Sequence, residues 1–213
     1  MSGADALAIT ALTLRVGLVA TAAIALPGVA LGFLLSRWRS SWKPLVQTLV
    51  SLPMVLPPGA IGLLLRALLA RPLLLTWWAA VVASAVMSLP LLVLGAQQGF
   101  DAVPRRLEQV ATTLGASRRR VFLAITLPHA SRGILFGFLF AFARGLGEFG
   151  ATALVAGDIP GQTETLALAI YGRIHQFEDR DAALLSAISV LLALATTGIA
   201  QLFLRDRSEA PRA

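Results

Sequence analysis

A bundle of about five membrane-spanning α-helices is the architecture this sequence predicts, and three observations predict it. Of the 213 residues, 57% are hydrophobic and only 14% charged, and the mean hydropathy is +0.78, a composition foreign to an ordinary water-soluble domain. Four uncharged runs each reach the roughly 20 residues that a helix needs to cross the hydrocarbon core of a bilayer. A fifth run is interrupted by two ionisable side chains, Arg144 and Glu148. Finally, the basic residues between the runs are unevenly shared, as the loops of a membrane protein are.

The expected spans are residues 16–35, 45–65, 73–96, 133–156 and 182–204 of one transmembrane domain covering 1–213. The first lacks the positive leader and small-residue cleavage site of a secretory signal, so it is read as a retained span. Pro27 in the first span, Pro53, Pro57 and Pro58 in the second and Pro90 in the third each remove a backbone donor. Lipid tolerates that only where neighbouring helices or a water-filled cavity satisfy the freed carbonyls. The fourth span carries Arg144 and Glu148, and ionisable groups at that depth mark it for attention.

Orientation follows from arginine and lysine. One set of loops holds twelve: Arg37, Arg39, Lys43, Arg105, Arg106, Arg118, Arg119, Arg120, Arg132, Arg205, Arg207 and Arg212. The opposite set holds four: Arg66, Arg71, Arg173 and Arg180. Basic loops resist translocation, which places the N-terminus outside and the C-terminus in the cytoplasm. The net charge of +7 is accounted for in this way, without nucleic acid as a partner. Trp38 and Trp42 fall at the inner boundary, Trp77 and Trp78 near the outer one, and Arg15 is expected to reach toward the outer headgroups.

Several chemistries are excluded. With no Cys, disulfides, thiolate metal sites and Cys nucleophiles are impossible, and two His make a His-rich metal site a poor reading. The spans contain no nucleophile and base at helical spacing, and the chain has no Gly-x-x-x-x-Gly-Lys-Ser/Thr phosphate loop. A non-enzymatic chain without a cofactor is expected; a membrane scaffold or an intramembrane enzyme are the rival classes.

Residues 97–128, between the third and fourth spans, are too polar for lipid and too patterned for a slack loop. Pro104 suits the first turn of a helix, and Leu107, Val110, Ala111 and Leu114 recur at helical spacing to form one apolar face. Gly115 ends that helix, Ser117 caps a second beginning at Arg118, and Leu127-Pro128 is expected to stop it. The apolar stripe must be hidden on the membrane surface, against the bundle, or in a groove of a partner.

The run Glu108-Gln109-Val110-Ala111-Thr112-Thr113-Leu114-Gly115 followed by Ile125-Thr126-Leu127-Pro128 resembles the Glu-Ala-Ala, Gly, Ile-x-Leu-Pro signature of permease subunits of binding-protein-dependent ABC importers. The start departs from it, with Gln109-Val110-Ala111 in the Glu-Ala-Ala register and the acid one place earlier, at Glu108. Residues 144–152, Arg-Gly-Leu-Gly-Glu-Phe-Gly-Ala-Thr, and 160–166, Pro-Gly-Gln-Thr-Glu-Thr-Leu, are similar to molybdate importer permeases, as is Leu56-Pro57-Pro58. Sulfate permeases share the first part more loosely. The stretch from Arg66 to Thr76 is shorter than in that family.

The resemblance implies a type-1 ABC importer permease fold in a prokaryotic inner membrane. Glu108, Ala111, Gly115, Ile125, Leu127 and Pro128 would form the cytoplasmic coupling loop that enters a cleft of an ATPase subunit. Further implied partners are a second copy of the chain, an external solute-binding protein and membrane lipid. The implied cargo is an oxyanion, foremost molybdate, with tungstate, sulfate or thiosulfate as alternatives. Pro160, Gly161, Thr163 and Thr165 become candidates for an outer gate or binding-protein contact, or else belong to a solvated loop. Arg144 and Glu148, four apart, share a helix face. They form either a structural ion pair or a fixed positive charge on the translocation path.

Overall fold

The computed structural model describes residues 2–205, and Arg207 and Arg212 of the inner-side basic set lie outside the described residues. Helix α1, Gly3–Arg37, starts where Ser2 and Asp5 form a reciprocal capping box. Its 35 residues span about 52 Å at 1.5 Å per residue, well beyond a hydrocarbon core of about 30 Å. The uncharged run from residue 16 is therefore only its middle. Arg15, where that run begins, lays its guanidinium over the Trp77 ring, 4.9 Å from the centroid.

The expected second span is broken. Helices α2 (Lys43–Val55) and α3 (Pro58–Leu68) meet at 108°. The cause is local, because a residue that precedes proline is biased away from the helical region, and here two such residues follow one another. Leu56 before Pro57 and Pro57 before Pro58 are both extended, with ψ of 144° and 133°. Among the described residues four helices are long and apolar enough to cross a membrane, or five if this bent pair counts as one span.

Helix α4, Trp77–Asp101, is the hub, starting where the Thr76 hydroxyl accepts from the Ala79 N–H. The expected start at residue 73 is displaced by a single 3₁₀ turn, Arg71–Leu73, and by Leu75 at φ 60°. On one side α4 packs against α1, where Gly28 and Gly32 face Leu92 and Ala96. On the other it meets helix α7, and there Gly95 and Gly99 lie directly against Gly133 and Gly137. Small residues four apart on both helices let the backbones touch, the packing mode available where lipid offers no hydrophobic drive.

Helices α5 (Arg105–Thr113) and α6 (Arg118–Val121) form the polar hairpin expected on the inner side. The second does not stop at Pro128. A π turn, Phe122–Thr126, carries it into α7, Leu127–Leu146, as one helix of 29 residues. Proline clashes with the carbonyl four residues back and offers it no donor; the wider π turn just before Pro128 accommodates both defects. The expected 133–156 helix ends at Leu146, with Gly147 to Phe149 out of helical register before the short α8, Gly150–Val155. Helices α9 (Leu166–His175) and α10 (Asp179–Arg205) close the bundle. There Leu166, Ala169 and Leu185 pack on Ala6 and Ile9 of α1.

Candidate coupling hairpin, intramembrane ion pair and outer loop

The inner hairpin is built as its residues dictate. Gly115 adopts φ +84°, the left-handed conformation that closes α5, and its N–H reaches the Thr112 carbonyl at 3.0 Å. The Ser117 hydroxyl accepts from the Arg120 N–H at 3.3 Å and so starts α6. Helix α5 has no buried residue. Leu107, Val110 and Leu114 stand exposed along it, with Leu114 82% accessible, and Arg105, Arg106, Arg118, Arg119 and Arg120 surround them. Ala111 and Ile125 are half-buried, and Pro128 is exposed beside half-buried Leu127.

Glu108, the one acid of the hairpin, turns toward the bundle. Arg37 Nη2, from the last turn of α1, donates to Glu108 Oε1. The Thr126 hydroxyl, inside the π turn, donates to the same oxygen at 2.6 Å. Beside this junction Phe33, Phe100 and Phe122 meet edge-on or stacked, with centroids 5.0 to 6.3 Å apart. They join α1, α4 and the π turn.

Arg144 and Glu148 do pair. Arg144 Nη1 lies 2.8 Å from Glu148 Oε2, with the Glu148 side chain 1% and the Arg144 side chain 33% accessible. Four-residue spacing brings them together even though α7 has already ended. Glu148 Oε1 also accepts from the Ala151 N–H at 2.9 Å, holding the first turn of α8. The carboxylate thus closes the break between two helices while neutralising the guanidinium. The adjoining cavity, about 360 Å³ between α7, α9 and α10, is lined by Leu146, Leu166, Ile170, Leu192 and other apolar groups and offers an anion one hydroxyl, Ser189.

In the loop between α8 and α9, Pro160 and Gly161 are exposed, whereas Thr163 and Thr165 are buried. Gly161 takes φ +72°. Thr163 is an internal staple: its hydroxyl donates to the Gly157 carbonyl and accepts from the Ile159 N–H, both at 3.0 Å. The start of α9 is fixed to α1 by the Leu166 N–H, which donates to Thr13 Oγ1 at 2.8 Å. Glu164 is 3.7 Å from Arg173. Burial, reinforced by Asp158, raises the Glu164 carboxyl above its ordinary value despite that arginine, and burial also raises Asp158. Among the described residues there is no group of three or more His, Asp or Glu able to hold a metal ion.

Residues 28–208 match the family model described as the binding-protein-dependent transport system inner membrane component. The chain belongs to this family. This inner membrane component is 39% identical over 197 residues to the molybdenum transport system permease protein ModB of Escherichia coli (strain K12), covering 85% of this chain and 86% of that one. It is 40% identical over 138 residues to the molybdate/tungstate transport system permease protein WtpB of Pyrococcus abyssi (strain GE5 / Orsay), covering 64% and 56%. A crystal structure of an amino acid ABC transporter with histidines shares the fold, with a TM-score of 0.64 at 18% identity, covering 94% of this chain and 93% of that one.

Within the inner membrane component, the one-residue offset of the acid now has a geometric meaning. One residue is about 100° around a helix, and the structure leaves Gln109 exposed while Glu108 faces the bundle. Arg37, Thr126 and the four glycines of the α4–α7 contact were not singled out by sequence. The glycines carry a signal, Gly-x-x-x-Gly in two spans, whereas the Arg37–Glu108 tie joins residues 71 apart and has none.

Proposed function

We propose that this inner membrane component is the translocating subunit of a molybdate importer powered by ATP hydrolysis in a separate subunit. One observation carries the reading: an exposed, arginine-flanked helical hairpin whose apolar stripe Leu107, Val110 and Leu114 has no cover among the described residues. A groove on a cytoplasmic ATPase is the cover it fits, and the chain holds no phosphate loop of its own. The names of its relatives, molybdenum and molybdate/tungstate permease proteins, support the cargo.

Two copies of the chain flank the path, since one bundle of this size seldom encloses a pore. An external binding protein delivers the anion to a surface that includes exposed Pro160 and Gly161, with the N-terminus outside and the C-terminus inside. Thr163 and Thr165 hold that surface from beneath. Arg144, locked to Glu148, acts as a neutralised structural pair, so the path offers no deep well in which a dianion would stay. Selectivity rests in the binding protein.

Reconstitution tests this. The chain, expressed with the ATPase and binding protein of a molybdate importer, should take up labelled molybdate only with ATP, and excess tungstate should compete better than sulfate. ATP-independent uptake, or competition by sulfate at molybdate-like concentrations, would overturn the assignment.

A further inference from the structure

Helix α5 is poorly anchored by packing. None of its nine residues is buried, Pro104 gives it no side-chain cap, and Leu107, Val110 and Leu114 project away from the bundle. Its attachment is polar and comes from one face. Arg105 and Glu108, three apart and therefore on the same side of the helix, both turn to the inner end of α1. Arg105 Nη2 reaches the Ser36 carbonyl at 3.5 Å, and Glu108 receives Arg37. The two arginines cross in opposite directions, one from each helix. Glu108 is then held a second time by Thr126, 2% exposed in the π turn that leads into α7.

We propose that Arg37 and Thr126 are positioning residues for energy coupling: through Glu108 they clamp α5 to the inner ends of α1 and α7, so that displacing α5 moves those helices. The inference rests on the reading of the hairpin as the ATPase contact and deepens it. A short helix with no buried residue of its own, bounded by the non-helical segments Ala102 to Pro104 and Leu114 to Ser117, would otherwise absorb a push from a partner by rotating. The clamp removes that freedom. A carboxylate accepting a guanidinium and a hydroxyl is a charge-assisted arrangement, stronger and shorter than neutral bonds. It lies beside the Phe33, Phe100 and Phe122 junction, with Arg37 itself 5.9 Å from the Phe33 ring. A rigid aromatic contact among three helices is suited to carry the motion onward.

The test uses the complete complex in proteoliposomes, with ATP hydrolysis and molybdate uptake measured in the same preparation and association of the ATPase checked by co-purification. Thr126→Val keeps the shape and removes the donor; Arg37→Gln removes the charge; Arg37→Lys keeps it. Thr126→Val and Arg37→Gln should bind the ATPase as the parent does, yet lower uptake per ATP by between about two- and thirtyfold, the range seen for substitutions within coupling networks. Arg37→Lys should recover most of the ratio. The Thr126 variant matters because Arg37 also sits at a helix C-terminus, where any cation is favourable.

A second readout does not depend on transport. The chain has no Cys, so spin labels placed on Cys introduced at exposed Leu34 of α1 and Gln109 of α5 report the α1–α5 distance directly. That distribution should be narrow in the parent and broaden in Thr126→Val. Unchanged uptake per ATP together with an unchanged distribution would overturn the clamp alone. If the unmodified chain binds no ATPase, the coupling reading falls and takes the clamp with it.

Discussion

A single methyl group at Gly133 should loosen the bundle at its centre. A Cβ built there would coincide with the Gly99 backbone, 2.6 Å from its nitrogen and 2.8 Å from the Gly95 carbonyl oxygen. Carbon contacts are comfortable at about 3.5 to 4.0 Å, so α4 and α7 would have to part by about 1 Å. The obstacle is backbone on both sides, which cannot turn aside as a side chain does. Overpacking of this kind costs about 1 to 3 kcal/mol, and separation also opens the neighbouring Gly95–Gly137 contact, placing Gly133→Ala at the upper end. Alanine recovers up to about 1 kcal/mol of helix propensity, so a net loss near 2 kcal/mol is expected. Gly198→Ala in α10 is the control, since a Cβ there meets nothing within 4 Å; it should be neutral or slightly stabilising. Reversible denaturation of the purified chain in mixed micelles, followed by the fluorescence of its four Trp, measures both. Equal stability of Gly133→Ala and Gly198→Ala would refute the claim that these helices meet backbone to backbone.

Four further outcomes follow from the site geometry. Glu148→Gln retains an acceptor for the Ala151 N–H but strands Arg144; it should cost about 2 to 3 kcal/mol, below the 3 to 5 of a fully buried pair because Arg144 is partly exposed. Glu148→Ala should cost about 1 kcal/mol more in the same melting assay. Gly115→Val meets open space but must hold φ +84°, so it should leave membrane insertion intact while uncoupling ATP hydrolysis from uptake, read as ions carried per ATP; tightly coupled transport would refute it. Glu164 and Asp158 titrate higher in the folded chain than in the unfolded one. Their charged forms therefore oppose folding at neutral pH, and protonation as pH falls through the raised folded values relieves that opposition. Hydrogen exchange at residues 159–166, corrected for intrinsic rates, should show more protection at about pH 5 than at about pH 7, and Glu164→Gln should flatten the difference.

The helical architecture was legible because lipid imposes a length and an uncharged composition that survive in the sequence as runs. Boundaries were less so, since polarity and helix are different properties. Asp5 and Arg15 end an uncharged run without ending α1, and the Ser2–Asp5 capping box lies 14 and 11 residues before the run at residue 16. Leu56-Pro57-Pro58 was visible as a breaker, but the 108° bend depends on how two extended residues combine in space. Pro128 misled for the opposite reason: it falls in the first turn of α7, where proline is tolerated, and no local pattern announces the π turn that carries α6 into it. At the candidate site, Gly115 and Ser117 were readable because caps are set by neighbouring residues. The inward turn of Glu108 was not, because Arg37 and Thr126 reach it from 71 and 18 positions away.

Helix α1 has one more implication. In its N-terminal half Thr13 holds the beginning of α9, and at its C-terminal end Arg37 grips Glu108. Those 24 intervening steps are about 36 Å of unbroken helix at 1.5 Å each, interrupted in its hydrogen-bond ladder only by Pro27. Because α1 also packs along α4 through Gly28 and Gly32, it joins the two attachments as one stiff body, and in the proposed import cycle a displacement at its Arg37 end is carried to its Thr13 end. That proposal then needs no relay of separate parts between the two ends, and stiffening residue 27 or softening its neighbours would change how faithfully they keep step.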